Sequence, residues 1–368
     1  PWLKAEYGTS VAFGIPGILM FIATIWFWMG RKTFVHIQPR PGGKTGLYDA
    51  LSGSLLFMGF IGLPMFFTSI LSPAAFWATM AGCIIAGLAI FNQRQKIEAD
   101  DGFLAITFHA IAATLRGDNK DNTSRDTSRE SLESHWLFGA TAKKFSAETT
   151  EGPIAVVRII SVFFLVSVFW ALFDQHSSSW IRQAKQMDLH LDIMGGIDML
   201  PSQIGALNPL MVMALIPFNN WLLYPAINKT GFILTPLRKM TIGMLMAAAG
   251  FAIVALIQEA IEAVPDGGEK ISVAWQILPY FVMTQAEVMV SITGLEFAYT
   301  QAPARMKSTI MGFWLLCVAF GSKLVAIMSG VEGMSLSQFF WFFAGLMVVA
   351  AIGFGVRASF YRYRDYSQ

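Results

Sequence analysis

Charge is scarce in this chain. Only 14% of its 368 residues are Asp, Glu, Lys or Arg, and the formal net charge is +2, so there is no basic patch with which to hold nucleic acid. Cysteine is scarcer still. Cys83 and Cys317 lie far apart inside apolar runs, which excludes a disulfide framework and any paired-cysteine metal spacing. The sequence has no HExxH and no GxSxG, and its five histidines (His36, His109, His135, His176 and His190) fall outside the apolar runs or at their edges. A membrane-embedded enzyme is therefore disfavoured, and neither a metal nor a cofactor is expected. A cleavable signal peptide and an initiating Met are also missing: the chain opens Pro1-Trp2-Leu3-Lys4-Ala5-Glu6, and the expectation is a start partway through a longer protein.

What is plentiful is apolar surface. The chain is 55% hydrophobic, with 31 Phe, 20 Met and a mean hydropathy of +0.53, which predicts an all-α polytopic membrane protein embedded in a lipid bilayer. Because about 20 apolar residues cross the hydrocarbon, about nine transmembrane helices are expected, at roughly 9–30, 48–71, 74–93, 154–176, 203–226, 238–260, 271–299, 307–329 and 338–357. Arg31, Lys32, Arg40, Lys44, Lys229, Arg238, Lys239, Arg305, Lys307, Arg357, Arg362 and Arg364 then fall on one side, against Lys4, Arg182, Lys185 and Lys270 on the other. The positive-inside rule puts Gln368 in the cytoplasm, with Pro1 and the acidic loop Glu259–Glu269 outside. Residues 94–153 are polar and rich in Ser, Thr, Asp and Arg, which reads as a cytoplasmic linker. Within it, Asp101–Leu115 has apolar residues at helical spacing, which suits either a helix lying on the membrane surface or, as favoured for most of the stretch, a solvated linker with one short helix. Three spans precede the linker and six follow it.

Glu287 stands in the middle of the run Ile271–Tyr299. Counting about 1.5 Å per residue from Trp275 places it roughly 18 Å deep, near the bilayer midplane. An ionisable group at that depth is either a structural acid, protonated or paired within the bundle, or a handler of charge. Ser291 lies four residues on, with Tyr280, Thr284 and Gly294 near the same stripe, so the group would line one wall of a cavity. Asp174 falls near the outer end of its span, where a carboxylate is either hydrated or poised to pair with a cation and take up a proton when the pair opens. Trp314, roughly 12 Å into its helix, sits deeper than an interfacial belt, and both a cavity wall and core packing remain open for it. Lys323 can snorkel outward or pair with Asp174 or Glu332. Lys229, Arg238 and Lys239 anchor one tight inner loop, and Glu296, Arg305 and Lys307 flank the next.

Several stretches agree in order and spacing: Val168–Trp180 (VFWALFDQHSSSW), Asn208-Pro209, Gly231–Met240 (GFILTPLRKM), Gly294–Pro303 (GLEFAYTQAP) and Arg305–Leu316 (RMKSTIMGFWLL), preceded by Phe13–Gly17 (FGIPG) and Phe27–Arg31 (FWMGR). Together they resemble the proton-dependent oligopeptide transporter family of the major facilitator superfamily, and the resemblance covers nearly the whole chain. It implies a partial major facilitator fold. Residues 1–31 would be the last helix of an N-terminal bundle, 32–93 a cytoplasmic loop with two inserted helices of the bacterial type, 94–153 the linker, and 154–368 a C-terminal six-helix bundle.

The resemblance further implies symport of di- and tripeptides with protons by alternating access in a bacterial inner membrane, driven by the proton gradient. In that family the acid matching Glu287 binds the peptide amino terminus, the asparagine matching Asn208 touches the peptide backbone, and the aromatic matching Trp314 lines a side-chain pocket. The acid matching Asp174 serves the outer gate and proton coupling. For Asn208 an ordinary helix–helix hydrogen bond is equally open. The family's first five helices, which carry the groups for the peptide carboxylate, are not in this chain, so it is expected to need those missing N-terminal helices and to be inactive alone. Alternatives are a related transporter of nitrate or another small metabolite, against which Glu287 weighs because it attracts an amine and repels an anion, and a non-transporting scaffold subunit.

Overall fold

Inside hydrocarbon every backbone amide and carbonyl must find an internal partner, which leaves helices as the solution for apolar runs of this length. The computed structural model describes residues 2–33, 43–66, 70–97, 103–117, 137–139, 141, 147–191, 196–265, 267–303, 306–361 and 363. Arg40, Arg305, Arg362 and Arg364 of the expected basic loops, together with His36, His135 and much of the 94–153 linker, lie outside them. Among the described residues every long element is helical. The only strands among the described residues form a two-residue antiparallel ladder, β1 (His190–Leu191) and β2 (Ile197–Asp198), with His190 opposite Asp198. The chain forms two units, Gly14–Arg116 and the combination of Pro1–Phe13 with Gly117–Gln368.

The smaller unit holds the later part of α1 (Trp2–Met29), then α2 (Gly43–Phe57), α3 (Pro73–Ile97) and α4 (Phe103–Arg116). Helix α2 runs through a π-helical turn, Met58–Gly62, into Leu63–Phe66. It meets α3 through glycines: a Cβ on Gly59 would come within 2.6 Å of Ile84 Cγ1, and one on Gly87 within 2.8 Å of Leu56 Cγ. In lipid, where apolar surface gains little by leaving one oily neighbour for another, such close backbone approach is what holds helices together. The same pair is fastened by Arg94, whose Nε and Nη2 donate to the two carboxylate oxygens of Asp49 at 2.7 and 3.2 Å. Helix α4, the short helix expected in the linker, buries Phe103, Ile106, Ala110 and Ala113 and exposes Phe108, Ile111 and Leu115.

The larger unit contains the last six long helices. α5 (Ala147–Phe173) continues through a 3₁₀ turn, Asp174–Ser177, into Ser179–Ala184. α6 (Leu207–Phe218) and α8 (Ile277–Glu287) each pass through a π-helical turn, Asn219–Leu223 and Val288–Ile292, before resuming as Tyr224–Lys229 and Thr293–Thr300. α7 (Pro236–Glu262) starts on Pro236 with Thr235 as its cap, α9 spans Lys307–Ser329, and α10 (Leu336–Ser359) opens on a capping box between Ser335 and Gln338.

α7 is the centre of this unit. Its fully buried Phe251 meets the rings of Phe340 and Phe343 from α10 at 6.0 and 6.4 Å, and Gly243 lets it approach α8, where a Cβ would fall 3.1 Å from the Ala286 carbonyl. Gly321 does the same for α9 against α5, since a Cβ there would lie 2.5 Å from the Ser167 carbonyl oxygen.

Among the described residues, seven helical stretches are long and apolar enough to cross a membrane, against the nine expected. The other two expected spans are helical, as Gly43–Phe66 and Val273–Thr300, but each is interrupted and diluted by polar residues. Asp49, Ser52 and Ser54 stand in the first, and Thr284, Gln285, Glu287, Ser291 and Thr293 in the second. The second is the run that contains the candidate site.

Candidate functional site

Glu287 is the last residue of the regular part of α8, half-buried, just before the π-helical turn. Its Oε2 accepts a hydrogen bond of 2.8 Å from Asn208 Nδ2, and the same amide nitrogen donates to Thr284 Oγ1 at 3.2 Å. Thr284 in turn donates to the Tyr280 carbonyl at 2.7 Å. Asn208 occupies the first turn of α6, one residue before Pro209, where a proline costs no intrahelical bond. Both hydrogens of one amide are thus spent on holding a hydroxyl and a carboxylate of the facing helix. Glu287 has no cationic partner among the described residues, and its second oxygen has no donor among them.

Tyr280, 1% exposed, packs its ring 4.9 Å from that of Trp180 and donates its hydroxyl to the His176 carbonyl at 2.9 Å. It therefore ties α8 to the 3₁₀ turn that carries Asp174. Asp174, half-buried at the head of that turn, accepts a bond of 2.6 Å from Ser322 on α9. Lys323, the neighbour of Ser322, makes no ion pair among the described residues and so reaches neither Asp174 nor Glu332. Trp314 is 4% exposed. It lies edge-on to Phe163 and Trp170 of α5, at 4.9 and 6.0 Å between centroids, and covers Gly294, whose Cβ would fall 2.6 Å from the indole. Ser291, inside the π-helical turn, is half-buried and forms no hydrogen bond among the described residues.

The structure thus brings together Glu287, Asn208, Thr284 and, through its backbone, Tyr280, while Asp174 belongs to a second group with Ser322. Trp314 belongs to an aromatic wedge between α5, α8 and α9. Ser322 and the reciprocal amide pair Asn219–Gln285 (3.1 and 2.8 Å) were not singled out by the sequence. Gln285, two residues before Glu287, was the available signal for the second.

The family model described as PTR2, POT family, matches residues 1–342. The chain belongs to the POT family. The POT chain is 27% identical over 288 residues to human solute carrier family 15 member 2, covering 78% of this chain and 30% of that protein. It is 39% identical over 132 residues to peptide transporter 3 of Caenorhabditis elegans, with 36% and 18% covered.

Two solved structures resemble the POT chain along essentially its full length. One is the crystal structure of an auto inhibited POT family peptide transporter (30% identity, TM-score 0.65, 100% of this chain and 67% of that one). The other is the in meso crystal structure of the POT family transporter PepTSo (33%, TM-score 0.62, 98% and 66%). Both curated relatives are much longer, and the chain spans less than a third of either. The major facilitator architecture expected from the motifs is the architecture of this family.

Proposed function

We propose that this chain supplies the carboxyl-terminal bundle of a symporter that carries di- and tripeptides with protons by alternating access. The observation that carries the reading is Glu287: a half-buried carboxylate, one oxygen fixed by Asn208 and the other open, with no cation of the protein's own to neutralise it among the described residues. A compact ammonium such as a peptide's amino terminus is the complementary group, because a charge-assisted bond gains strength where water is sparse. Asn208 positions the carboxylate, and Thr284 keeps Asn208 from rotating away.

A proton reaching Glu287 would abolish its attraction for an ammonium, which provides release. Asp174 serves the gate. Its carboxylate is held by Ser322 of α9, and the Tyr280–His176 bond mechanically joins the Asp174 turn to the helix of Glu287. The protein is accordingly a transporter and not an enzyme, it sits in a bacterial cytoplasmic membrane with its carboxyl terminus in the cytoplasm, and the driving force is the proton gradient. Transport of nitrate or another anion is not favoured, because Glu287 would repel it.

The test is acid-driven dipeptide uptake into proteoliposomes by a transporter comprising these 368 residues. Glu287→Gln is expected to lower uptake to background with the protein still folded. Wild-type accumulation by that variant would remove Glu287 from substrate binding.

A further inference from the structure

At the end of the larger unit where basic residues gather, the start of α7 and the end of α10 enclose an open cavity of about 640 Å³, lined by Phe232, Ile233, Leu237, Arg238 and Tyr361 among others. A second recess of about 200 Å³, lined by Arg158, Arg357, Phe360 and Tyr361, shares the Tyr361 wall with it. The two differ in character. The large one is walled chiefly by hydrocarbon and aromatic rings, with Phe232 and Ile233 exposed at its mouth, and its volume is typical of a ligand cleft. The small one brings together guanidinium groups from two helices. Arg357 of α10 donates from Nε to Ser161 Oγ of α5 at 3.1 Å and keeps its guanidinium 5.9 Å from the Tyr361 ring, while Arg158 sits one turn away from Ser161 on α5.

Arg357 lies within the last turn of a helix long and apolar enough to cross a membrane, the end at which a span meets headgroups. Arg238 edges the large cavity and donates to the Ile233 carbonyl at 2.9 Å. No described acid forms an ion pair with Arg357 or Arg238.

From this pairing we infer that the site binds one anionic phospholipid, with the phosphate on the arginines of the small recess and an acyl chain along the apolar cavity. A forked guanidinium matches phosphate geometry. A charged recess that shares its Tyr361 wall with an oily one at a helix end follows a lipid's own sequence of chemistry, and a basic pocket between helices is a recognised headgroup site. A soluble anion would find the arginines but would gain nothing from the apolar cavity.

The experiment measures lipid retained in detergent by a purified transporter comprising these 368 residues, by native mass spectrometry, titrating palmitoyl-oleoyl phosphatidylglycerol, the matching phosphatidylcholine, or inorganic phosphate. One phosphatidylglycerol is expected to remain bound. Arg357→Gln should weaken it about tenfold, the loss expected for one charge-assisted bond, and Arg357→Lys should restore part of that. Equal retention of phosphatidylcholine, undiminished binding by Arg357→Gln, or competition by inorganic phosphate at concentrations comparable to the lipid would each overturn the assignment. Should Arg357→Gln fail to fold, a photoreactive phenylalanine analogue at Phe360, which is 76% exposed, gives the second readout. A phosphatidylglycerol adduct supports the site, and an adduct no more frequent than with phosphatidylcholine refutes it.

Discussion

At the scale of single residues the site is an arrangement around one amide. Asn208 serves both Thr284 and Glu287 through a single nitrogen, so Asn208→Ala is expected to free the carboxylate and leave Thr284 without its donor. Losing a hydrogen bond to a charged group is worth about 1.5–3 kcal/mol, which predicts a rise of roughly tenfold or more in the peptide KM with a smaller change in maximal rate. Uptake kinetics over a range of dipeptide concentrations would check this, and an unchanged KM would leave Asn208 with a structural role only. Glu287 could be picked out from the sequence because an acid in the middle of a long, mainly apolar run is conspicuous at any register, whereas Glu296 lies near the end of that run. The direction of Trp314 was not legible, since a count along one helix gives position alone whereas the wedge against Phe163, Trp170 and Gly294 depends on two other helices. The Ser322–Asp174 bond joins residues 148 positions apart, and no spacing rule reaches that far.

At the scale of elements, helices in lipid are joined by close approach and by amides. Gly321→Ala would push a methyl group against the α5 backbone, and overpacking of this kind is expected to cost about 1–3 kcal/mol, visible as a lower melting temperature in detergent. The Asn219–Gln285 pair couples α6 to α8 beside their π-helical turns. Replacing Asn219 alone by Leu leaves a buried amide unsatisfied at about 1–3 kcal/mol, whereas the double variant Asn219→Leu, Gln285→Leu should recover most of that loss. A thermal double-mutant cycle separates the two outcomes, and strict additivity would show that the pair is not a unit. The helices themselves were readable from apolar run length, but their π-helical turns were not. Such a turn takes in an extra residue without changing composition, which is why the run of α8 could be assigned as helical while the placement of Ser291 had to come from coordinates.

At the scale of the whole molecule, the proposed orientation makes a direct prediction. In a background with Cys83 and Cys317 replaced by Ala, a cysteine at Lys229 should react with an impermeant maleimide only from the cytoplasmic side, and one at Glu269 only from outside. The opposite pattern would invert the topology drawn from the basic loops. The two-unit organisation was not visible in sequence: its boundaries fall inside α1 and just after α4, and nothing local to Asp49 or Arg94 announced that these residues, 45 positions apart, fasten α2 to α3.

One further feature of the larger unit bears on how it would behave under acid. Gln183 donates to the Val254 carbonyl and to Gln258, and Gln276 donates to the Trp180 carbonyl and to Gln183, so carboxamides stitch the end of α5, the end of α7 and the entry to α8. A seam of carboxamides neither gains nor sheds protons across the physiological range. Acid meets this seam at the carboxylate of Glu262, which accepts from Gln258 at 3.1 Å, while the amide-to-amide and amide-to-carbonyl bonds do not depend on a proton, so these three segments would travel as a single block while the rest of the molecule answers the proton.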